Sequence, residues 1–182
     1  DPAAAGRGGR GQGAAAAPRP YDQVITAAAK TDAGVFKVHR ITAGLSDTLY
    51  YEIPKSELGK DFLINSQIKR NAAGSGGYGG QQIGTRVVQW VLKGDRVLLL
   101  NIDYSLVADP SNPLLADANM PAIIRTFPVA AYAPSGDPVI DVTSLYTTDV
   151  AELSGRGGGG GGGRGMDASR TFLEKAVSFP MN

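Results

Sequence analysis

The chain has 182 residues, 42% of them apolar, a formal net charge of +1 and a single histidine. That length suits one domain with a buried core, and the near-neutral balance excludes a broad basic face for nucleic acid or anionic lipid. Cysteine is absent, which removes disulfides, thiolate metal sites and cysteine nucleophiles together, and no apolar run approaches the roughly 20 residues needed to cross a bilayer.

Residues 1–20 are a low-complexity arm of Ala, Gly, Arg and Pro with almost nothing to bury. Such a segment cannot offset its own ordering entropy, so a tail in need of a partner is expected. The chain begins at Asp1, and Pro2-Ala3-Ala4-Ala5 lacks the charged and apolar regions of a leader. The expectation is a secreted protein, extracellular or periplasmic, whose signal peptide has been removed.

Residues 21–153 read as one β-rich domain. Val35 to Ile41 alternates with period two, and Thr48 to Ile53 is its antiparallel partner across a turn at Gly44 to Asp47. Pro54 ends that strand, and Lys55 to Gly59 suggests a single helical turn closed by glycine. Asp61 to Lys69 reads as a third strand, followed by a glycine-rich loop from Asn71 to Gly84. Thr85 to Leu92 and Arg96 to Asp103 form the clearest hairpin, joined through Lys93-Gly94-Asp95, where glycine supplies a positive φ. Both faces of its first strand are partly apolar, which predicts a central position in the sheet.

Asp109 to Pro113 breaks the pattern, and a short helix is expected within Leu114 to Met120. Ile123 to Tyr132 and Val139 to Leu145 read as strands around a β-bend at Pro134 to Pro138. Thr148 to Leu153 suggests a helical turn capped by Thr148. A polyglycine segment at 154–166 follows, and 167–182 is read as a C-terminal segment, the start of a further element, broken off by truncation or processing. The fold class expected is therefore mainly β, an antiparallel sandwich or partly open barrel with short helical turns and Gly-rich loops.

Three groups of residues carry a resemblance. The first is Tyr21-Asp22-x-Val24-Ile25, the second Lys30-Thr31-Asp32-x-Gly34-x-Phe36-x-Val38-His39, and the third Tyr50-Tyr51-Glu52-Ile53-Pro54. With Leu58 to Leu63, Tyr78 to Gln81, Val88-Gln89-Trp90, Asp137 to Leu145 and Ser169 to Pro180, they make the chain from Tyr21 to Asn182 resemble the N-terminal domains of unknown function of secreted bacterial zinc-dependent metalloproteases. In that family the His-Glu-x-x-His signature lies downstream, and it is not in this sequence. The resemblance implies a part that is not an enzyme alone, with zinc only in a downstream catalytic domain.

The residues agree with that reading. A zincin site needs two histidines one helical turn apart, and His39 stands alone in a strand. It is expected to bond to a neighbouring strand or loop. Asp103, Asp109, Asp117, Asp137 and Asp141 are scattered near turns, where Asp commonly bonds its own backbone, and Asp109-Pro110-Ser111-Asn112 is too sparse for a calcium loop. The loop Gly74 to Gly80 lacks the Gly-Lys-Ser/Thr ending of a phosphate cradle. Arg7 to Gly11 and Arg156 to Gly165 have too few arginines, and no aromatics, for RNA binding. The expectation is thus no catalytic, cofactor-binding or metal residue, no nucleic acid and no membrane span. The partners expected are a downstream protease domain or copies of the chain itself. Two functions follow: a non-catalytic accessory module of such a protease, possibly a processed fragment, or a structural β-protein that self-assembles into an extracellular oligomer or filament through its Gly-rich arms and sheet edges.

Overall fold

The computed structural model describes residues 17–44, 46–70, 78–104, 120–153 and 171–180. A single-turn helix α1 (Tyr21–Val24) precedes strands β1 (Lys30–Ala33), β2 (Lys37–Ala43) and β3 (Ser46–Glu52). A 3-10 turn (Lys55–Glu57) leads to β4 (Asp61–Gln67), then come β5 (Gln82–Lys93), β6 (Arg96–Ile102), β7 (Ala122–Tyr132), β8 (Pro138–Asp141) and helix α2 (Thr143–Thr147). The eight strands form one sheet in the order β1-β2-β3-β8-β7-β6-β5-β4, and every pairing is antiparallel.

This sheet curls on itself as a half-barrel, which selects the partly open barrel over the two-sheet sandwich. The curl has a local origin in β7. Its first part pairs with β6 as far as Pro128, opposite Arg96, and its last part pairs with β8 from Val129 onward. Register shifts at Leu99/Leu100 and Val129/Ala131 bend the ladder there. Pro128 sits where β7 changes partners, the place in a sheet interior where a missing N–H costs least.

The concave side holds the main core, with Ile53, Val88, Val97, Leu99, Ile140 and Val142 fully buried. Rings close it across the two halves of the sheet. Trp90 lies 6.1 Å from Phe36, 6.0 Å from Tyr51 and 5.8 Å from Phe127, and Phe36 is 5.1 Å from Phe62. These separations suit tilted and edge contacts, which add to the area the rings bury. A second, smaller cluster of Val24, Ala131, Ala133 and Val139 sits under α1.

The β5–β6 hairpin forms as expected, with Lys93 opposite Arg96 and Gly94 at φ 62°, and β5 is flanked on both sides, by β4 and β6. Three readings change. The strand expected over Val139 to Leu145 ends at Asp141, because Asp141 Oδ1 accepts bonds from both the backbone N–H and the hydroxyl of Thr143. That turn starts α2 instead. Thr148 accordingly closes α2, its N–H bonding to the Ser144 carbonyl, and caps no helix of its own. Lys30 to Ala33, polar and mostly exposed, is an additional strand at the sheet edge. The helix expected within Leu114 to Met120 lies almost wholly outside the described residues, as do both Arg-Gly segments and most of the Gly74 to Gly80 loop.

Candidate functional site

Two places concentrate polar chemistry. The first is a buried knot where β1, β2 and β3 meet α1. In the register of these strands Thr31 lies opposite His39 and His39 opposite Tyr50, while Glu52 pairs with Lys37. Among the described residues His39 and Glu52 are the two buried polar or charged side chains, at 2% and 1% exposure. Glu52 Oε2 accepts from the Tyr21 hydroxyl at 2.9 Å and lies 3.2 Å from His39 Nε2, and Oε1 accepts from Lys37 Nζ at 2.5 Å. His39 Nδ1 lies 2.8 Å from Thr31 Oγ1.

An ionised carboxylate only accepts, so His39 donates from Nε2 to Glu52, and in the neutral imidazole that burial favours, Nδ1 accepts the Thr31 hydroxyl proton. Burial pushes His39 below its ordinary value, with Glu52 opposing in part. Burial likewise raises the Glu52 carboxyl, but the bonds from Lys37 and Tyr21, the Lys37 charge and the His39 bond outweigh it, and the net direction is down. Burial and the Glu52 bond push Tyr21 up to about 12. Both ring nitrogens of His39 and both oxygens of Glu52 are thus engaged inside the protein, so the knot ties α1 to the sheet and leaves neither group free toward solvent. The expectation that His39 bonds to a neighbouring strand holds, through Thr31 of β1 and Glu52 of β3.

The second place is the open side of the half-barrel, between the β1–β2 turn and β4. The extended segment 171–180 crosses it as a strap. Arg40 clamps Asp47 with two bonds of 3.0 and 2.7 Å, holding that carboxyl below its ordinary range, and also donates to the carbonyls of Leu173 and Glu174. Lys69 and Arg70, just past β4, each lie 2.9 Å from Glu174. At the other end the Val35 N–H donates to the Phe179 carbonyl, the Ser178 N–H to Asp32 Oδ2, and the Ser178 hydroxyl to the Phe36 carbonyl. The strap passes so close to Gly34 that any β-carbon there meets its backbone. Leu173 and Ala176 reach inward to the main core. Between the strap and β4 runs a cleft of about 710 Å³, floored by Phe36 and walled by Leu63 and Phe179.

The sequence reading singled out His39 alone. Tyr21, Thr31, Lys37 and Glu52 as its neighbours, and Gly34 as the seat of the strap, were missed. Of the aspartates weighed, Asp141 makes the expected local backbone bond, to the Thr143 N–H, whereas Asp137 accepts locally only from the Ser135 hydroxyl and takes its backbone bond from the distant Lys55 N–H. Asp109 and Asp117 lie outside the described residues. Among the described residues no group of three or more metal-ligating side chains converges, and no helix is long and apolar enough to cross a membrane.

Two family patterns match the chain. "Domain of unknown function (DUF5118)" covers residues 18–70, and "Domain of unknown function (DUF5117)" covers residues 80–182, more than half of the chain. The chain belongs to the DUF5117 family and carries a DUF5118 segment ahead of it. No curated protein and no solved structure matches it. In the fold the two segments are not separate units. The first supplies β1 to β4 and the second β5 to β8, yet β4 pairs with β5, and β3 pairs with β8.

Proposed function

We propose that this protein is a non-catalytic accessory module of a secreted zinc-dependent metalloprotease, lying N-terminal to the catalytic domain and contacting it. What supports the reading is the place of the residues that carry the resemblance. Tyr21, Thr31, His39 and Glu52 are spread over three separate short motifs, and they converge on one buried knot. Asp32, Gly34 and Phe36, from the same motifs, seat the strap. The motifs therefore specify one architecture: an edge-open β-unit whose polar residues hold it together and whose only histidine is used internally. Such a unit acts through surface contact, by shaping access to a neighbouring active site or supporting its fold. Zinc belongs, on this reading, to the downstream domain alone.

The test is to read the coding sequence beyond residue 182, express the encoded protein with and without residues 18–180, and compare peptide hydrolysis and thermal stability. The proposal expects a His-Glu-x-x-His helix downstream and a changed kcat/KM or midpoint on deletion. A stop codon at that point, or a catalytic domain indifferent to the deletion, overturns it. A second reading, self-assembly into an extracellular oligomer, draws support from the sheet edge at β1, which among the described residues pairs on one side only. Sedimentation of the purified chain distinguishes the two, since the accessory module stays monomeric.

A further inference from the structure

The cleft beside β4 has the features of a binding site for an extended polypeptide. β4 forms its ladder with β5 on one side, and among the described residues no strand pairs with its other edge, which offers backbone donors and acceptors along seven residues. The strap forms the opposite wall, yet its backbone bonds run to the β1–β2 turn through Val35, and among the described residues none runs to β4. A gap therefore remains between two extended segments. Its volume of about 710 Å³ falls in the range typical of ligand clefts.

The walls specify the side chains an occupant carries. Leu63 is 67% exposed, Phe179 61% and Val177 46%, and all three line the cleft. Strand pairing would place alternate side chains of an added segment against them. The charged residues lining the cleft are both acidic: Glu57, in the 3-10 turn before β4 and paired with Lys60, and Asp61, the first residue of β4, which accepts bonds from Gln89 and Tyr104 but has no cation paired with it among the described residues. We propose that this cleft binds, by strand addition to β4, an extended peptide with apolar residues at alternate positions and a Lys or Arg beside Asp61. Since every pairing in the sheet is antiparallel, that basic residue stands at the carboxyl end of the bound segment. A second copy does not suit the same cleft. Its own β4 already has β5 on one edge, and β5 would collide with the strap, whereas a single strand has both edges free. The inference concerns this chain's own surface and stands whatever domain follows it.

The test uses the full chain and an acetylated, amidated heptapeptide of alternating valine and threonine ending in arginine, labelled for fluorescence anisotropy. Saturable binding is expected, weakened about tenfold when glutamate replaces the arginine and about tenfold or more when the amides facing one edge are N-methylated. Asp61→Lys should weaken the arginine peptide and improve the glutamate one, and Leu63→Glu should weaken both. Circular dichroism confirms that each variant is folded. N-methylation that leaves binding unchanged overturns strand addition, and it needs no variant of the protein. Equal affinity for the arginine and glutamate peptides overturns the charge assignment. Dimerisation through β4 that excludes the peptide assigns the edge to a second copy and also overturns the proposal.

Discussion

Replacing Gly34 with alanine is expected to dislodge the end of the strap. The added Cβ would lie 2.2 Å from Ser178 Oγ, 2.4 Å from the Phe179 nitrogen and 2.6 Å from its carbonyl oxygen. Two of these atoms are backbone, so no side-chain rotation relieves the contact. Gly34 is not among the glycines with positive φ, so alanine suits its backbone and the effect is purely steric. Displacing the strap end breaks three bonds, from the Val35 N–H, the Ser178 N–H and the Ser178 hydroxyl. At a net worth of roughly 0.5–1.5 kcal/mol each, and more for the one to Asp32, the loss is about 2–4 kcal/mol. Urea denaturation followed by Trp90 fluorescence measures it, with hydrogen exchange reporting on residues 171–180. The control is a chain lacking residues 171–182, where these three contacts are gone. There it should be neutral or stabilising by roughly 0.4–1 kcal/mol, because alanine restricts the unfolded chain. The two backgrounds should therefore differ by about 2 kcal/mol or more. Equal effects in both would refute the strap contact as the reason glycine stands at 34.

The remaining predictions concern the knot, the core and the family boundary. His39 is held below its ordinary value, so the unfolded state binds more protons as pH falls from about 6.5, and folding stability declines there. Glu52 is also held low and adds a second decline below about 4.5. Denaturation from pH 8 down to about pH 3 should show both limbs, and His39→Gln should remove the first; an unchanged profile would refute the assignment. Glu52→Gln turns a donor toward Lys37 or toward Tyr21 and His39, and should cost about 1–3 kcal/mol at pH 7. Trp90→Ala empties the site where Phe36, Tyr51 and Phe127 meet and should cost about 3–5 kcal/mol, against within about 0.5 kcal/mol for Leu63→Ala on the exposed edge. Residues 18–70 and 80–182, expressed apart, should each lack dispersed NMR spectra, because the seven-position β4–β5 ladder and the β3–β8 contact cross that boundary. A folded 18–70 fragment would refute the single-sheet account.

Alternation of apolar and polar residues was enough to locate β2 to β7 to within a few residues, since a half-buried strand needs period two wherever it sits. Turn chemistry was legible for the same local reason, as at Gly94. Locality also explains the errors: Val139 to Leu145 alternates like a strand, and only the Asp141 side chain bonding Thr143 ends it. Pro128, discouraging in a central strand, is tolerated because β7 changes partners there, a fact of strand order invisible in β7 itself.

The sequence by itself determined the β-rich class, the strand pairs that adjoin in the chain, and the commitment of a lone histidine to a bond within the sheet. The tertiary structure alone decided that β8 enters between β3 and β7, that Tyr21 reaches Glu52 across 31 positions, and that Gly34 lies under Ser178 and Phe179. Those contacts join segments far apart in the chain. Their partners are selected by how the whole sheet curls and by which buried donors still lack acceptors, and no local pattern of residues encodes either.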